Sequence, residues 1–340
     1  MSNHITNPIV YKGQIYPEIA REQTKNGLRI TMQTTKEYLF AHGYISAADL
    51  ANPDCDYTTI TAAVYRAFCD GVLSLNATKQ DGVYNLTTIR VSTGLSGKLY
   101  TMFAITTISL VNSFCLARMQ MDDLVCSKCY VPESLRIDGI LAFAQNMYIL
   151  THVNLAENPD WIPALKADWA VARTVKKLKE DRDAGKIDIS DEEIADIATK
   201  KPLCRFESMG DLACTLQAQN YLTIAAANRC FDFALWTKNP AVLAYAVDTY
   251  GMPENLSTVL SMSRKNQMDK AAVIDRYSRY FKHMFVVADA QDIIDGFLNR
   301  DGFYACRCDR FSCIRCRHCY VHDNDVIDTA VEKLRDKKIK

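Results

Sequence analysis

Three observations predict an α/β fold: a partial (β/α) barrel carrying an N-terminal winged-helix-like unit and a C-terminal cysteine-rich metal-binding segment. Strand-like and helix-like runs alternate from 95 to 300, three helical runs and a hairpin signal precede them over 34–90, and eight of thirteen cysteines fall in two tight groups. Alternation at this spacing predicts a parallel sheet with helical crossovers. In that layout functional side chains gather at the C-terminal ends of the strands.

The bulk composition sets the frame. An apolar fraction of 49% and a charged fraction of 24% suit a globular protein with a sizeable core. Lys+Arg and Asp+Glu are both 40, so no global charge draws the chain to nucleic acid or membrane. The opening M-S-N-H-I-T-N-P lacks the basic start and apolar run of a signal peptide. The longest apolar stretch, Leu99 to Val111, is too short and too rich in threonine to span a bilayer. A cytoplasmic protein is therefore expected, in a compartment where thiols stay reduced and clustered cysteines signal metal or redox chemistry.

Residues 1–33 are weakly patterned, with a short extended piece at Tyr11 to Ile19. Within 34–90, helices are expected at Thr35–His42, at Ile45–Ala51 with Ser46 as N-cap, and at Tyr57–Leu75. The last repeats Ile60, Ala63, Val64, Phe68 and Val72 at helical spacing. Asp81-Gly82 between two extended runs is a hairpin signal. This winged-helix-like order would offer its third helix to DNA, yet Arg66 is that helix's one base. Nucleic-acid contact and protein docking both stay open for this unit.

Across 95–300 the first strand falls in Leu99–Ser109, followed by an apolar helix at Ile137–Leu155. The charged run 160–200 reads as an inserted helical hairpin, broken near Asp183–Gly185 and restarted at Ser190. Strands follow at Leu203–Glu207, Phe231–Thr237, Leu256–Ser263 and His283–Ala288. Helices follow at Leu212–Asn228, Pro240–Tyr250 and Lys270–Tyr280. Polar residues cluster where the strands end: Cys115; Glu207, Ser208, Gly210 and Asp211; Lys238 and Asn239; Ser261 and Ser263; Asp289.

Cys115, Cys126 and Cys129 follow the first strand. Three thiolates can hold three irons of a [4Fe–4S] cluster and leave the fourth open; a structural zinc site needs a fourth ligand. In the tail segment 301–340, which also carries an expected C-terminal helix, Cys313, Cys316 and Cys319 form C-x-x-C-x-x-C, with Cys306 or Cys308 to complete four ligands. An iron–sulfur cluster and zinc both remain open there. The six histidines form no metal-protease pattern, and no phosphate-binding glycine loop or G-x-S-x-G is present, so serine hydrolysis has no support.

T-T-I-S-L-V-N-S-F-C, C-S-K-C-Y, R-F-E-S-M-G-D-L, A-L-W-T-K-N-P, N-L-S-T-V-L-S-M-S and the cysteine-rich tail occur in this order. In that order they resemble the phage gene product 88-like family and related radical-SAM-like phage barrel proteins, over about 95–322. The resemblance implies a radical-SAM type partial barrel with a [4Fe–4S] cluster on Cys115, Cys126 and Cys129, its open iron binding S-adenosylmethionine for reductive cleavage, with an electron donor as partner. It implies that Glu207, Ser208, Gly210 and Asp211 lie near the methionine amino group. Lys238 and Asn239 would face the substrate or the cofactor carboxylate, and Ser261 and Ser263 the ribose. The usual signature is C-x-x-x-C-x-x-C, whereas ten residues separate Cys115 from Cys126 here, and Lys128 replaces the usual aromatic before the last cysteine.

Overall fold

The computed structural model describes residues 9–11, 14–16, 19, 22–24, 27–54, 56–73, 78–80, 83–85, 89–94, 97–121, 125–129, 131–262, 270–288, 305–307, 312–321 and 328–333. The chain opens with two antiparallel hairpins, β1 (Ile9–Tyr11) with β2 (Gln14–Tyr16) and β3 (Glu22–Thr24) with β4 (Gly27–Arg29). Three helices follow: α1 (Met32–Ala41), α2 (Ala47–Ala51) and α3 (Tyr57–Cys69). Thr31 and Ser46 build reciprocal capping boxes with Thr34 and Asp49, which satisfies backbone donors that a helix start leaves open. α3 ends earlier than its apolar pattern promised, because the chain turns through Gly71 at φ 69. The hairpin signal is met by β5 (Thr78–Gln80) paired antiparallel with β6 (Val83–Asn85); its Asp81-Gly82 turn lies outside the described residues.

The main sheet adds β7 (Ser92–Thr93), β8 (Phe103–Ile105), β9 (Leu203–Phe206), β10 (Asp232–Thr237), β11 (Leu256–Met262), β12 (His283–Ala288), β13 (Ala305–Arg307) and β14 (Asp328–Lys333). Its order is β13-β14-β12-β11-β10-β9-β8-β7, with β7 antiparallel and every other neighbouring pair parallel. From β8 to β12 the strands lie side by side in chain order, so no reversal of strand order divides that part of the sheet. The expected C-terminal helix is corrected here: Asp328–Lys333 form a strand between β12 and β13. Their charged residues read as helical in isolation, but the edge of β12 offers a full ladder of backbone partners, from His283↔Asp328 to Ala288↔Lys333.

Between strands run α4 (Ser113–Met119), α5 (Val131–Ser134), α6 (Ile137–His152), α7 (Ala167–Asp183), α8 (Asp191–Thr199), α9 (Thr215–Ala227), α10 (Pro240–Tyr250) and α11 (Lys270–Tyr277). Alternating side chains divide the sheet into two apolar faces. Ile105, Phe206, Phe233, Leu235, Leu256 and Leu260 pack with Leu150 of α6, Tyr221 and Leu222 of α9 and Leu243 of α10. Met102, Leu203, Ala234, Trp236 and Val259 instead meet Leu178 of α7, Ile194 and Ile197 of α8, and Ile314 and Tyr320 of the tail. The inserted helical hairpin thus covers the sheet's second face, and its Ser190 forms a capping box with Glu193 as its sequence implied. A third core joins Leu39, Ile60, Val64 and Phe68 of α1 and α3 to Ile140, Leu141, Ala144 and Met147 of α6.

Candidate functional site at the strand ends

The C-terminal ends of β8, β9 and β10 converge on two buried carboxylates. Glu207 follows β9 directly and adopts a left-handed backbone, φ 56, rare for a residue with a side chain. Its Oε1 accepts hydrogen bonds from Thr107 Oγ1 at 2.9 Å, Gln217 Nε2 at 2.6 Å and the Tyr221 hydroxyl. Its Oε2 accepts from the Thr107 amide at 3.2 Å. Burial raises the Glu207 carboxyl to about 7, with the hydrogen bonds from Tyr221 and Thr107 opposing the rise. Four donors from three residues hold this carboxylate within the protein, so its first role is to fix the strand ends to α9.

Gly210 is the contact that lets this happen. A Cβ there would stand 2.4 Å from Glu207 Oε2 and 2.5 Å from Thr107 Oγ1. The Thr106 hydroxyl meanwhile accepts from the amides of Ser208 and Met209 at 3.1 and 3.0 Å.

Asp211 is the second buried acid. Its Oδ1 accepts from the Thr237 hydroxyl and from the Leu212 amide at 2.8 Å, and its Oδ2 from the Lys238 amide at 3.0 Å. Burial raises its carboxyl, and the Lys238 charge is the largest influence lowering it again. Asn239 sits beside this group, its amide bound to Thr237 Oγ1 at 2.9 Å and its side chain donating to the Leu212 carbonyl at 3.0 Å.

Asn112 ties the first cysteine to the acids. Its Oδ1 caps α4 by accepting from the amides of Phe114 and Cys115 at 3.0 and 3.2 Å. Its Nδ2 donates to the Asp211 carbonyl at 2.7 Å. Cys115 is half-buried, and desolvation raises its thiol pKa most, followed by Asp211 and Glu207; Lys238 acts in the opposite sense and Cys126 adds to the rise. Cys115, Cys126, Glu207, Asp211 and Lys238 therefore share one electrostatic neighbourhood. Cys129 packs against the helical core, with its Sγ 4.0 Å from Ser109 Oγ.

Other predicted residues spread more widely. Ser261 is half-exposed near the end of β11, while Ser263, Asp289 and Cys308 lie outside the described residues. Cys306 occupies β13 opposite Ala330. Cys313 and Cys319 pack half-buried against the second-face core, and Cys316 is exposed. Among the described residues no three His, Cys, Asp or Glu side chains stand close enough together to hold a metal ion. Desolvation and the nearby carboxylates of Asp211 and Glu207 keep the Cys115 thiol protonated.

The sequence reading missed Thr106, Thr107, Asn112, Gln217 and Tyr221. One signal was present: Gln217 and Tyr221 are four apart on α9 and so share a helix face behind the strand that delivers Glu207. The Thr106-Thr107 pair carried none, since its partners lie about a hundred positions away.

The site and sheet define an α/β protein whose parallel strands bring cysteines and buried acids to one rim. Residues 114–332, from α4 into β14, match the Gene product 88 family, and the chain belongs to that family. No curated protein and no solved structure matches it. Among the described residues no helix is long and apolar enough to cross a membrane.

Proposed function

We propose that this chain is an iron–sulfur enzyme of radical-SAM type, built on a partial (β/α) barrel, working in the host cytoplasm and supplied by an electron donor. One observation carries the reading: Cys115 and Cys126 share a neighbourhood with Glu207, Asp211 and Lys238 at the C-terminal ends of parallel strands. That is where barrel enzymes gather their chemistry. The side-by-side chain order of β8 to β12 supports the partial barrel, because a singly wound sheet curves toward closure.

Cys115, Cys126 and Cys129 would hold a [4Fe–4S] cluster, which supplies one-electron reduction at an open iron. The chain's own groups divide the remaining work. Glu207, locked by Thr107, Gln217 and Tyr221, fixes the loop through Ser208 and Gly210. That loop would face the methionine end of S-adenosylmethionine. Asp211 accepts from the Lys238 backbone amide, and Lys238 would meet the cofactor carboxylate. Asn239 and Ser261 complete the rim.

The tail cysteines would bind a second metal, as an auxiliary cluster or as zinc. The packing of Ile314 and Tyr320 in the second-face core favours a clasp that holds the tail on the sheet. Nucleic acid as substrate or ligand remains a proposal for the helical unit over 34–90.

The test is reductive cleavage. Anaerobically reconstituted protein, given S-adenosylmethionine and dithionite, should release 5′-deoxyadenosine, and Lys238→Ala should raise the KM for S-adenosylmethionine. Reconstituted protein that carries iron and releases no 5′-deoxyadenosine would refute the radical chemistry.

A further inference from the structure

The helical unit over 34–90 reaches further into the rim site than its place in the sequence suggests. α3 buries Ile60, Ala63, Val64 and Phe68 along one face. It packs on α6 and on the short turn Ser109–Val111 that precedes α4. The core formed there also takes in residues from each of the three segments that carry the site.

The first segment is the turn itself. Ile108 and Leu110 are buried in the helical core. Asn112 follows directly, and it caps α4 at Cys115 and holds the Asp211 carbonyl. None of the α4 side chains is buried, so the helix has little packing of its own to place Cys115. The second segment is the Glu207–Asp211 loop, from which Met209 and, just beyond it, Ala213 pack against the same core. The third carries Cys129, which packs there together with Val131. Ser109 of the turn is buried, its Oγ 4.0 Å from Cys129 Sγ, and so links the first segment to the third.

The site is thus held from two sides. The strand ends fix one side through Thr106, Thr107 and Gln217 of α9. The helical core supplies the other. Close-packed interiors are barely compressible and transmit strain, so a shift of α3 carries the three segments with it. We propose that the helical unit is the positioning wall of the rim site, with α3 setting where Cys115, Cys129 and the Glu207–Asp211 loop stand relative to one another. The proposal rests on the reading of that rim as the functional centre.

Hydrogen exchange read by mass spectrometry tests this on the full, metal-free chain. Ile60→Ala thins the wall, and Ile194→Ala makes the matching cut in the second-face core on α8. Both should lower the urea midpoint. Only Ile60→Ala should speed exchange in peptides spanning 109–119 and 208–213, by roughly tenfold, because the opening is local. In the same samples iodoacetamide should alkylate Cys129 faster, with exposed Cys230 as an unchanged reference. Ile60→Val is a smaller cut and should give the same pattern at lower amplitude, so the test survives if Ile60→Ala folds poorly. Rim exchange unchanged in both Ile60 variants, or raised equally by Ile194→Ala, would overturn the proposal. These readouts need no bound cluster. A chain that passes them yet releases no 5′-deoxyadenosine would refute the radical chemistry and leave this proposal standing.

Discussion

Glu207 accepts from Thr107, Gln217 and Tyr221 while buried beside Asp211, and its ionisation therefore bears on stability. The folded carboxyl keeps its proton to about pH 7, whereas the ordinary value is 4.5. Between those values the folded state binds more protons than the unfolded one, so stability is greatest below the window and falls as pH rises through it. Urea denaturation from pH 5 to 8 should show that decline, and Glu207→Gln should flatten it; an unchanged slope in the variant would contradict the assignment. Gly210 gives a second expectation at this scale. Gly210→Ala drives a methyl into Glu207 and Thr107, and should destabilise the fold by about 1–3 kcal/mol, measurable as a lowered denaturation midpoint. The E-S-M-G-D stretch was legible as a strand end because its polarity interrupts an apolar run. Its partner Thr107 was not, because a hydrogen bond between neighbouring strand ends leaves no local pattern, and the i, i+4 spacing of Gln217 and Tyr221 marks a shared helix face without naming what it meets.

At the scale of elements, α4 depends on one residue that serves two masters. Asn112 caps the helix carrying Cys115 and also holds the Asp211 loop. Asn112→Ala should cost about 1–2 kcal/mol from the lost cap, and should impair iron loading more than Ala substitution at an unrelated cap such as Ser190. Equal iron content in the two variants would detach Asn112 from the site. Most elements between Leu203 and Ala288 could be read in advance, since each is a short apolar run bounded by Pro, Gly, Asn or a polar cluster. β14 could not. Its Glu332 and Lys333 read as helix, and its strand state comes from the long-range partner β12. The first strand was overestimated for a related reason: Thr106 and Thr107 suit a ladder by propensity but leave it to bind the β9 loop.

For the whole molecule, two sheet faces and a helical layer each carry their own core, and the cysteine-rich tail belongs to one of them. Ile314 is 3% exposed among Leu203, Trp236 and the α7–α8 pair. Ile314→Ala should destabilise the protein by about 2–5 kcal/mol in thermal or urea unfolding; a surface-level effect would mean that the tail does not close the core. The sequence reading treated the cysteines as the tail's purpose, and the structure adds the packing role of the residues between them. It also links the helical unit over 34–90 to α6 through one continuous core, which apolar spacing within α3 alone could not reveal.

Under the proposed function, Cys115, Cys126 and Cys129 hold a cluster independently of the tail. Iron content and visible absorbance after anaerobic reconstitution test it most directly, comparing wild type with Cys126→Ala. Wild-type protein should be brown and absorb at ~400 nm, and the Cys126→Ala variant should lose the iron of one cluster while the metal bound by the tail stays. A colourless wild-type protein, or a variant with undiminished iron, would contradict it.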